Sequence, residues 1–361
     1  MEQSRPVSPI YADLDREINE RIGVDIGFPA LLAARSHTPE AGALDALRSQ
    51  YAVIKRFQEK TLALFRASLA GELDPAIAEM VIGELPDTYR REYHARLTDR
   101  HLRTPVFVRT DELRAGRLCE IQCSGSGWGL AEQLRRTYAA HPERFGEPTH
   151  FPRPLAASFA EALKAYLGRD PIVHHLADNA SVPHGTRYFI QTARTHGVRY
   201  FGYDRGVSPE DCNFVRSHDF VSLANHNFIA DRLARCESGE VCFDLPPTVL
   251  FDCKLILAWP FWSKTRDGYD DEVRALFPHT SLIEEDGVTL TDGERVDLDA
   301  FCAIPQRKRA YYVKYAGADI NVNWGSKAVF LASTYSRRKC RELLDATVAD
   351  AGRSRYWVLQ E

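Results

Sequence analysis

The sequence predicts a mixed α/β protein, α+β in arrangement, built from two or three structural units. Three observations predict it. Residues 10 to about 100 carry apolar positions at helical spacing, residues 170 to 205 alternate strand, helix and strand, and short apolar runs from Val106 and from Pro278 onward read as strands. A chain of 361 residues is too long for one small core, which sets the number of units.

The N-terminal region reads as helices. Leu14, Ile18 and Ile22 form a stripe over Asp13–Ile22. Leu44, Leu47, Tyr51, Ile54, Phe57, Leu62, Leu64 and Phe65 give a broad apolar face to a helix over Ala43–Ala70, with Gly71 placed to stop it. Asp74 as N-cap and Pro75 at the first helical position start the next helix, with the stripe Ile77, Met80, Val81 and Leu85. Pro86 ends that helix, and Asp87 caps another over Thr88–Leu97. None of these helices carries evident chemistry, and they read as packing against the sheet that begins at Val106.

Farther along, His141–Pro154 is rich in Pro, His and Gly and reads as a linker. Helix Phe159–Leu167, strand Ile172–Leu176, helix Thr186–His196 closed by Gly197, and strand Val198–Tyr203 follow, with a third strand at Phe220-Val221 or its flank. Strand, helix, strand at this spacing is a βαβ unit and implies a parallel sheet. A helix over Asn225–Arg235 comes next. His174, His175, His184, His218 and His226 are scattered, without carboxylates or cysteines at ligand spacing, and read as loop or packing residues. No G-x-G-x-x-G follows a strand here, which disfavours a dinucleotide-dependent oxidoreductase.

Beyond Pro246-Pro247, Lys254 heads an apolar helix-like run, and Pro278–Ile283 reads as a short strand. Asp286-Gly287 and Asp292-Gly293 are turn signals around Val288–Leu290. Tyr311–Gly317 reads as a strand carrying Lys314, and Asn323–Phe330 as a turn and another strand. Ser336 N-caps a helix over Arg337–Ala351, and Tyr356–Glu361 is an apolar strand with a polar end.

Composition narrows the function. Lys+Arg is 46 against Asp+Glu 50, a net charge of −4, so a dedicated nucleic-acid binder is disfavoured. The longest strongly apolar run, Leu255–Trp262, is broken by Pro260 and is too short to span a bilayer, and the first residues carry no apolar signal-peptide core. Eight cysteines without a CxxC read as reduced thiols of a cytoplasmic protein.

Chemistry concentrates in Val106–Gly129. Arg109 and Asp111 sit two residues apart in one run, Glu120 and Gln122 two apart in the next, with a turn over Leu113–Arg117 between. Residues i and i+2 of a strand share a face, so a hairpin would converge four polar groups on one patch. Two carboxylates and an amide oxygen are hard ligands suited to Mg²⁺ held against phosphates, and an adjacent Arg suits a phosphoryl or acyl-phosphate oxygen. The other reading is an ordinary half-exposed hairpin with a polar outer face. Cys123–Gly129 then reads either as a strand-to-helix turn or as a substrate loop, its small residues letting a backbone approach a ligand closely.

The order of these pieces resembles the ATP-grasp superfamily, in the circularly permuted arrangement of glutathionylspermidine-synthase-like carboxylate–amine ligases. The segments that carry it are Phe251–Leu257 followed by Pro278-His279-Thr280, Tyr312-Val313-Lys314, Asn323–Val329, Trp357–Glu361, and Arg109-Thr110-Asp111 with Glu120-Ile121-Gln122. The last pair is similar to the family's R-x-D … E-x-N metal strands, here placed before the hinge rather than after it, with Gln122 one methylene longer than the family asparagine. The covering loop has Gly317 and Gly325, fewer glycines than usual. The chain reaches its hinge strand at its last residues, so either the lobe is completed by the N-terminal segment or the sequence is cut there.

The resemblance implies an ATP-grasp fold with a Rossmann-like pre-ATP-grasp unit and an N-terminal helical region. Residues 1–105 would be the helical region, 106–150 the metal strands, 151–245 the Rossmann-like unit and 246–361 the nucleotide-binding lobes. It implies ATP and Mg²⁺ as cofactors. ATP would be held by Lys254, Lys314, Gly325, Ser326, Lys327, Gln360 and Glu361, and the metal by Asp111, Glu120 and Gln122. Arg109 would act in catalysis, and Ser124 and Ser126 on substrate. The activity implied is amide formation between a small-molecule or peptide carboxylate and an amine, through an acyl phosphate, without nucleic-acid or membrane partners. The alternative is a catalytically silent nucleotide-binding partner protein of the same fold.

Overall fold

A computed structural model of the chain describes residues 42–85, 91–112, 116–123, 127–140, 142, 153–176, 184–201, 211–217, 226–317, 319 and 328–361. Among them the protein is mixed α/β, and no helix is long and apolar enough to cross a membrane. Its helices are α1 (Ala43–Leu69), α2 (Ala76–Ile82), α3 (Arg91–His94), α4 (Trp128–Ala140), α5 (Leu155–Leu167), α6 (His184–Thr195), α7 (His226–Glu237), α8 (Asp271–Ala275), α9 (Leu298–Ala303) and α10 (Arg337–Ala351). Its strands are β1 (Arg109–Glu112), β2 (Leu118–Gln122), β3 (Ile172–Leu176), β4 (Arg199–Phe201), β5 (Phe214–Ser217), β6 (Cys242–Phe243), β7 (Thr280–Leu282), β8 (Val288–Thr289), β9 (Arg295–Val296), β10 (Tyr312–Tyr315), β11 (Val329–Leu331) and β12 (Trp357–Gln360). The chain divides into two compact units, Met1–Leu44 with Gly125–Leu223, and Asp45–Ser124 with Ala224–Glu361.

The first unit holds the parallel sheet that the βαβ spacing predicts. β3 pairs in parallel with β4 on one side and β5 on the other. The third strand is the flank, Phe214–Ser217; Phe220-Val221 lies outside the described residues. Asn213, buried just before β5, ties β3 to β5: its Oδ1 accepts from Ile172 N at 2.9 Å and its Nδ2 donates to Asp170 O at 2.8 Å. The core is aromatic. Trp128, Phe159 and Phe189 meet edge to face with centroids 5.3 to 5.8 Å apart, and the Arg216 guanidinium lies 4.0 Å over the Trp128 ring. The packing role read for the histidines holds at His175, which is buried with Nδ1 3.1 Å from the Tyr200 hydroxyl. The side chains of His184, His218 and His226 lie outside the described residues.

The second unit contains nearly all of α1. Ile54, Phe57, Leu62 and Phe65 are buried at helical spacing, as the stripe predicts. Past the helix end Gly71 adopts φ +79°, and its N–H donates to Ser68 O. The next helix is capped as predicted: Asp74 Oδ1 accepts from Ala76 N at 2.9 Å, and Pro75 has helical backbone angles, φ −61° and ψ −21°. The helix predicted over Thr88–Leu97 ends earlier, at His94, the described helix being the short α3 with turns after it, and Asp13–Ile22 lies outside the described residues.

The centre of this unit is a four-stranded antiparallel sheet in the order β11-β10-β12-β7. Alternation gives it two unlike faces. Val313 and Leu359, opposite one another, join Phe301 and Cys302 of α9 and Cys340 and Leu344 of α10 in one apolar cluster. Ser336 opens α10 as predicted, its side chain accepting from Lys339 N. The other face carries Tyr312, Lys314, Gln360 and Thr280, with Gln360 opposite both Tyr312 and Thr280. Just past the end of β10, Gly317 lies close under the Glu84 carboxylate and the Tyr315 hydroxyl, which a side chain at that position would have to displace.

Candidate functional site

The hairpin forms as the spacing predicts. β1 and β2 pair antiparallel with Arg109 opposite Gln122 and Asp111 opposite Glu120, so the four polar side chains share one face. A bulge between Asp111 and Glu112 places Cys119 as the extra residue of β2. In a regular strand Leu118 would share the face of Glu120; the bulge turns it inward instead, and Leu118 and Ile121 are both buried. The hairpin is tied to its own unit by backbone, with Leu118 N donating to Leu276 O at 2.8 Å. The apolar run Val106–Val108 precedes the ladder rather than opening it.

Across that face the charges are paired. Arg109 meets Asp111 two-pronged, with Nε to Oδ1 at 3.1 Å and Nη2 to Oδ2 at 3.3 Å. Glu120 Oε1 accepts from Gln122 Nε2 at 2.9 Å and lies 3.1 Å from Lys254 Nζ. Lys254 heads a 3₁₀ helix, Lys254–Leu257, which is the helix-like run of the sequence wound more tightly. That turn is held beside β10, because Leu255 N and Cys253 Sγ both donate to Ala316 O. The Lys254–Glu120 pair is 13% and 24% exposed, so it is screened less than a surface pair.

Lys314 lies near the same hairpin. Burial pushes its ammonium below the ordinary lysine value; Cys119 and Glu120 pull it upward and Lys254 pushes it down. Its Nζ donates to Gln360 Oε1, and Gln360 Nε2 donates to Thr280 Oγ1 at 3.0 Å. Cys119 donates its thiol to Asp111 O at 3.2 Å, and burial raises its ionisation above the ordinary thiol value, with Lys314 opposing. At the end of β12, Glu361 pairs with Arg117 at 3.1 Å, and its N–H donates to His279 O.

Of the residues singled out in the sequence, Arg109, Asp111, Glu120, Gln122, Lys254, Lys314, Gln360 and Glu361 therefore lie in one unit, linked by the hairpin pairing and these contacts. Ser124, Ser126, Gly325, Ser326 and Lys327 lie outside the described residues. Three participants were not signalled by sequence pattern. Thr280 stands in the quoted Pro278-His279-Thr280 segment, but its hydroxyl role depends on strand register. Cys119 enters through the bulge, and Arg117 through the hairpin turn.

The donor chemistry fits a hard divalent cation. Asp111 and Glu120 supply carboxylates and Gln122 an amide, and Mg²⁺ is ordinarily held by one or two carboxylates together with phosphates rather than by a full protein cage. Both carboxylates already hold protein cations on this face. Among the described residues no group of three or more His, Cys, Asp or Glu converges. Compared with known proteins, the chain matches no family model, and no curated protein matches it in sequence.

Proposed function

We propose that this chain is an ATP- and Mg²⁺-dependent carboxylate–amine ligase with the permuted ATP-grasp arrangement, forming an amide through an acyl phosphate. The observation that carries the proposal is the convergence at Glu120. One carboxylate oxygen meets Gln122 and Lys254, while Lys314, whose ionisation is coupled to Glu120 and Lys254, is held by Gln360 of the last strand. A paired acid–amide hairpin beside two lysines from separate elements is what Mg-ATP binding needs: cations for the phosphates and hard oxygens for the metal.

In this reading Lys254 and Lys314 bind the phosphates. Asp111, Glu120 and Gln122 hold Mg²⁺, which neutralises phosphate charge when bound. The substrate carboxylate attacks the γ-phosphorus, ADP leaves, and Arg109 stabilises charge on the transferring group. The amine then attacks the acyl carbon, the carbon–oxygen bond to phosphate breaks, and the amine gives up a proton. The protein's contribution is positioning and preorganised charge. Gly325, Ser326 and Lys327 are assigned to the phosphates, Glu361 to the nucleotide, and Ser124 and Ser126 to substrate, by resemblance alone. The protein would work in the cytoplasm on small-molecule or peptide acids and amines.

A second reading is a catalytically silent nucleotide-binding partner. It is favoured by Arg109 and Lys254 already occupying the two carboxylates. Titration with a nonhydrolysable Mg-ATP analogue tests the site shared by both readings, and its absence in the wild-type protein would sink both. Phosphate release with mixtures of acids and amines, followed by mass spectrometry for amide products, then separates ligase from silent binder.

A further inference from the structure

We propose that Gln360 is a positioning residue for Lys314, its buried side-chain amide oriented by Thr280 so that its oxygen holds the lysine ammonium on the polar face of the sheet. The phosphate-binding purpose of that ammonium rests on the ligase reading; the relay itself does not.

The argument is one of hydrogen-bond polarity. Thr280 Oγ1 donates to Pro278 O at 3.0 Å, and a carbonyl can only accept. The hydroxyl proton is therefore used, and Oγ1 presents lone pairs to its other neighbour. That neighbour is Gln360 Nε2 at 3.0 Å. The group of Gln360 that faces Thr280 must then be the NH₂, which leaves Oε1 toward Lys314, where an ammonium can only donate. Every member has one permitted role, so the amide is locked without ambiguity between its nitrogen and oxygen.

Burial makes the lock count. Gln360 is 1% exposed and Thr280 0%, so neither can exchange its partner for water. Register supplies the geometry: Gln360 is opposite Thr280, and it is diagonal to Lys314, whose own opposite is Val358. Lys314 is also faced by Cys119, Glu120 and Lys254, and by the Tyr312 ring with its centroid 5.8 Å away. Among these the Gln360 oxygen is a neutral acceptor that fixes direction without neutralising the charge a phosphate would meet. A glutamate at position 360 would instead pair with the ammonium and force Thr280 to redirect its proton.

Competitive acylation with trace acetic anhydride across alkaline pH, read by mass spectrometry on the Lys314 peptide, tests the relay. The proteins compared are wild type, Gln360→Glu, Gln360→Leu and Thr280→Val, each with a melting curve. The expected Lys314 midpoint rises in Gln360→Glu, falls in Gln360→Leu, and falls by less in Thr280→Val. Mg-ATP-analogue affinity is expected to drop about ten-fold in Gln360→Leu, the scale of one charged hydrogen bond. Thr280→Val is close in shape to the native residue and keeps the test decisive should a Gln360 variant fail to fold. Lys314 curves in folded Thr280→Val and any other folded variant that coincide with wild type would overturn the relay. A wild-type protein that binds no Mg-ATP analogue would overturn the nucleotide reading, while the acylation result still decides the relay.

Discussion

The two principal sheets of this chain handle polarity in opposite ways. In the parallel sheet of the first unit the strands run through the core: Val173, Phe214 and Val215 are fully buried, and the polar groups within it, His175 and Arg216, are absorbed by Tyr200 and by the face of Trp128. The antiparallel sheet of the second unit buries one face against α9 and α10 and lines the other with Lys314, Gln360 and Thr280. Thr280 and Gln360 are buried on that second face too, so their polar groups are satisfied by one another and by Lys314 rather than by water. The second unit is therefore where polar side chains on one face of a sheet meet one another.

The sharpest way to break this contrast is at the hairpin. Glu120→Ala should abolish Mg-ATP-dependent turnover, a loss of at least ~100-fold if the carboxylate serves the transferring phosphate, while melting and far-UV circular dichroism stay near wild type. Full turnover in that variant would remove the metal assignment. On the apolar face, Leu359→Ala should destabilise the protein by about 2–5 kcal/mol, the range for emptying a well-packed leucine site. Chemical denaturation measures it, and a loss under about 1 kcal/mol would mean that this face is less tightly packed than the burial of Leu359 implies. The parallel sheet should instead depend on the clamp at the start of β3 and β5. Asn213→Ala removes two part-buried hydrogen bonds and should cost about 1–3 kcal/mol, seen as faster hydrogen exchange at Ile172.

Lys314 gives a pH signature. Its ionisation lies below the ordinary lysine value of 10.5 in the folded chain, with burial the main cause. Between the folded value and 10.5 the unfolded chain binds more protons, so stability rises with pH across that window, and the full penalty applies below it. The stability of Lys314→Met relative to wild type should therefore fall as pH approaches 10.5, whatever constant amount the lost Gln360 contact costs. A difference independent of pH would show that burial does not tune this lysine. If Lys314 takes the proposed phosphate role, which needs the charged form, nucleotide affinity should fall as pH rises through the folded value. The smallest effect is expected at Ser336, where replacement by alanine removes an N-cap worth about 1 kcal/mol, read as a small drop in melting temperature.

Much of this was legible in the sequence for local reasons. Ser336 at the start of α10, Gly71 after α1, and the alternation through Arg109, Asp111, Glu120 and Gln122 are settled by capping, left-handed backbone and period-two geometry, all of which act within a few residues. A strand bound was less legible: β1 starts at Arg109 although the apolar run begins at Val106.

By itself, the sequence determined a mixed α/β chain, a βαβ unit, a polar-faced hairpin and two lysines set in apolar runs, because each follows from contacts between near neighbours. Tertiary structure alone decided that Lys254 meets Glu120, that a bulge at Cys119 turns Leu118 inward, and that Gln360 is buried between Lys314 and Thr280. The first and last of those facts join residues 46 to 134 positions apart, as the residue numbers show. No local period encodes such pairs; the packing of the sheet against α9 and α10 fixes which face is buried, and strand register then fixes who meets whom.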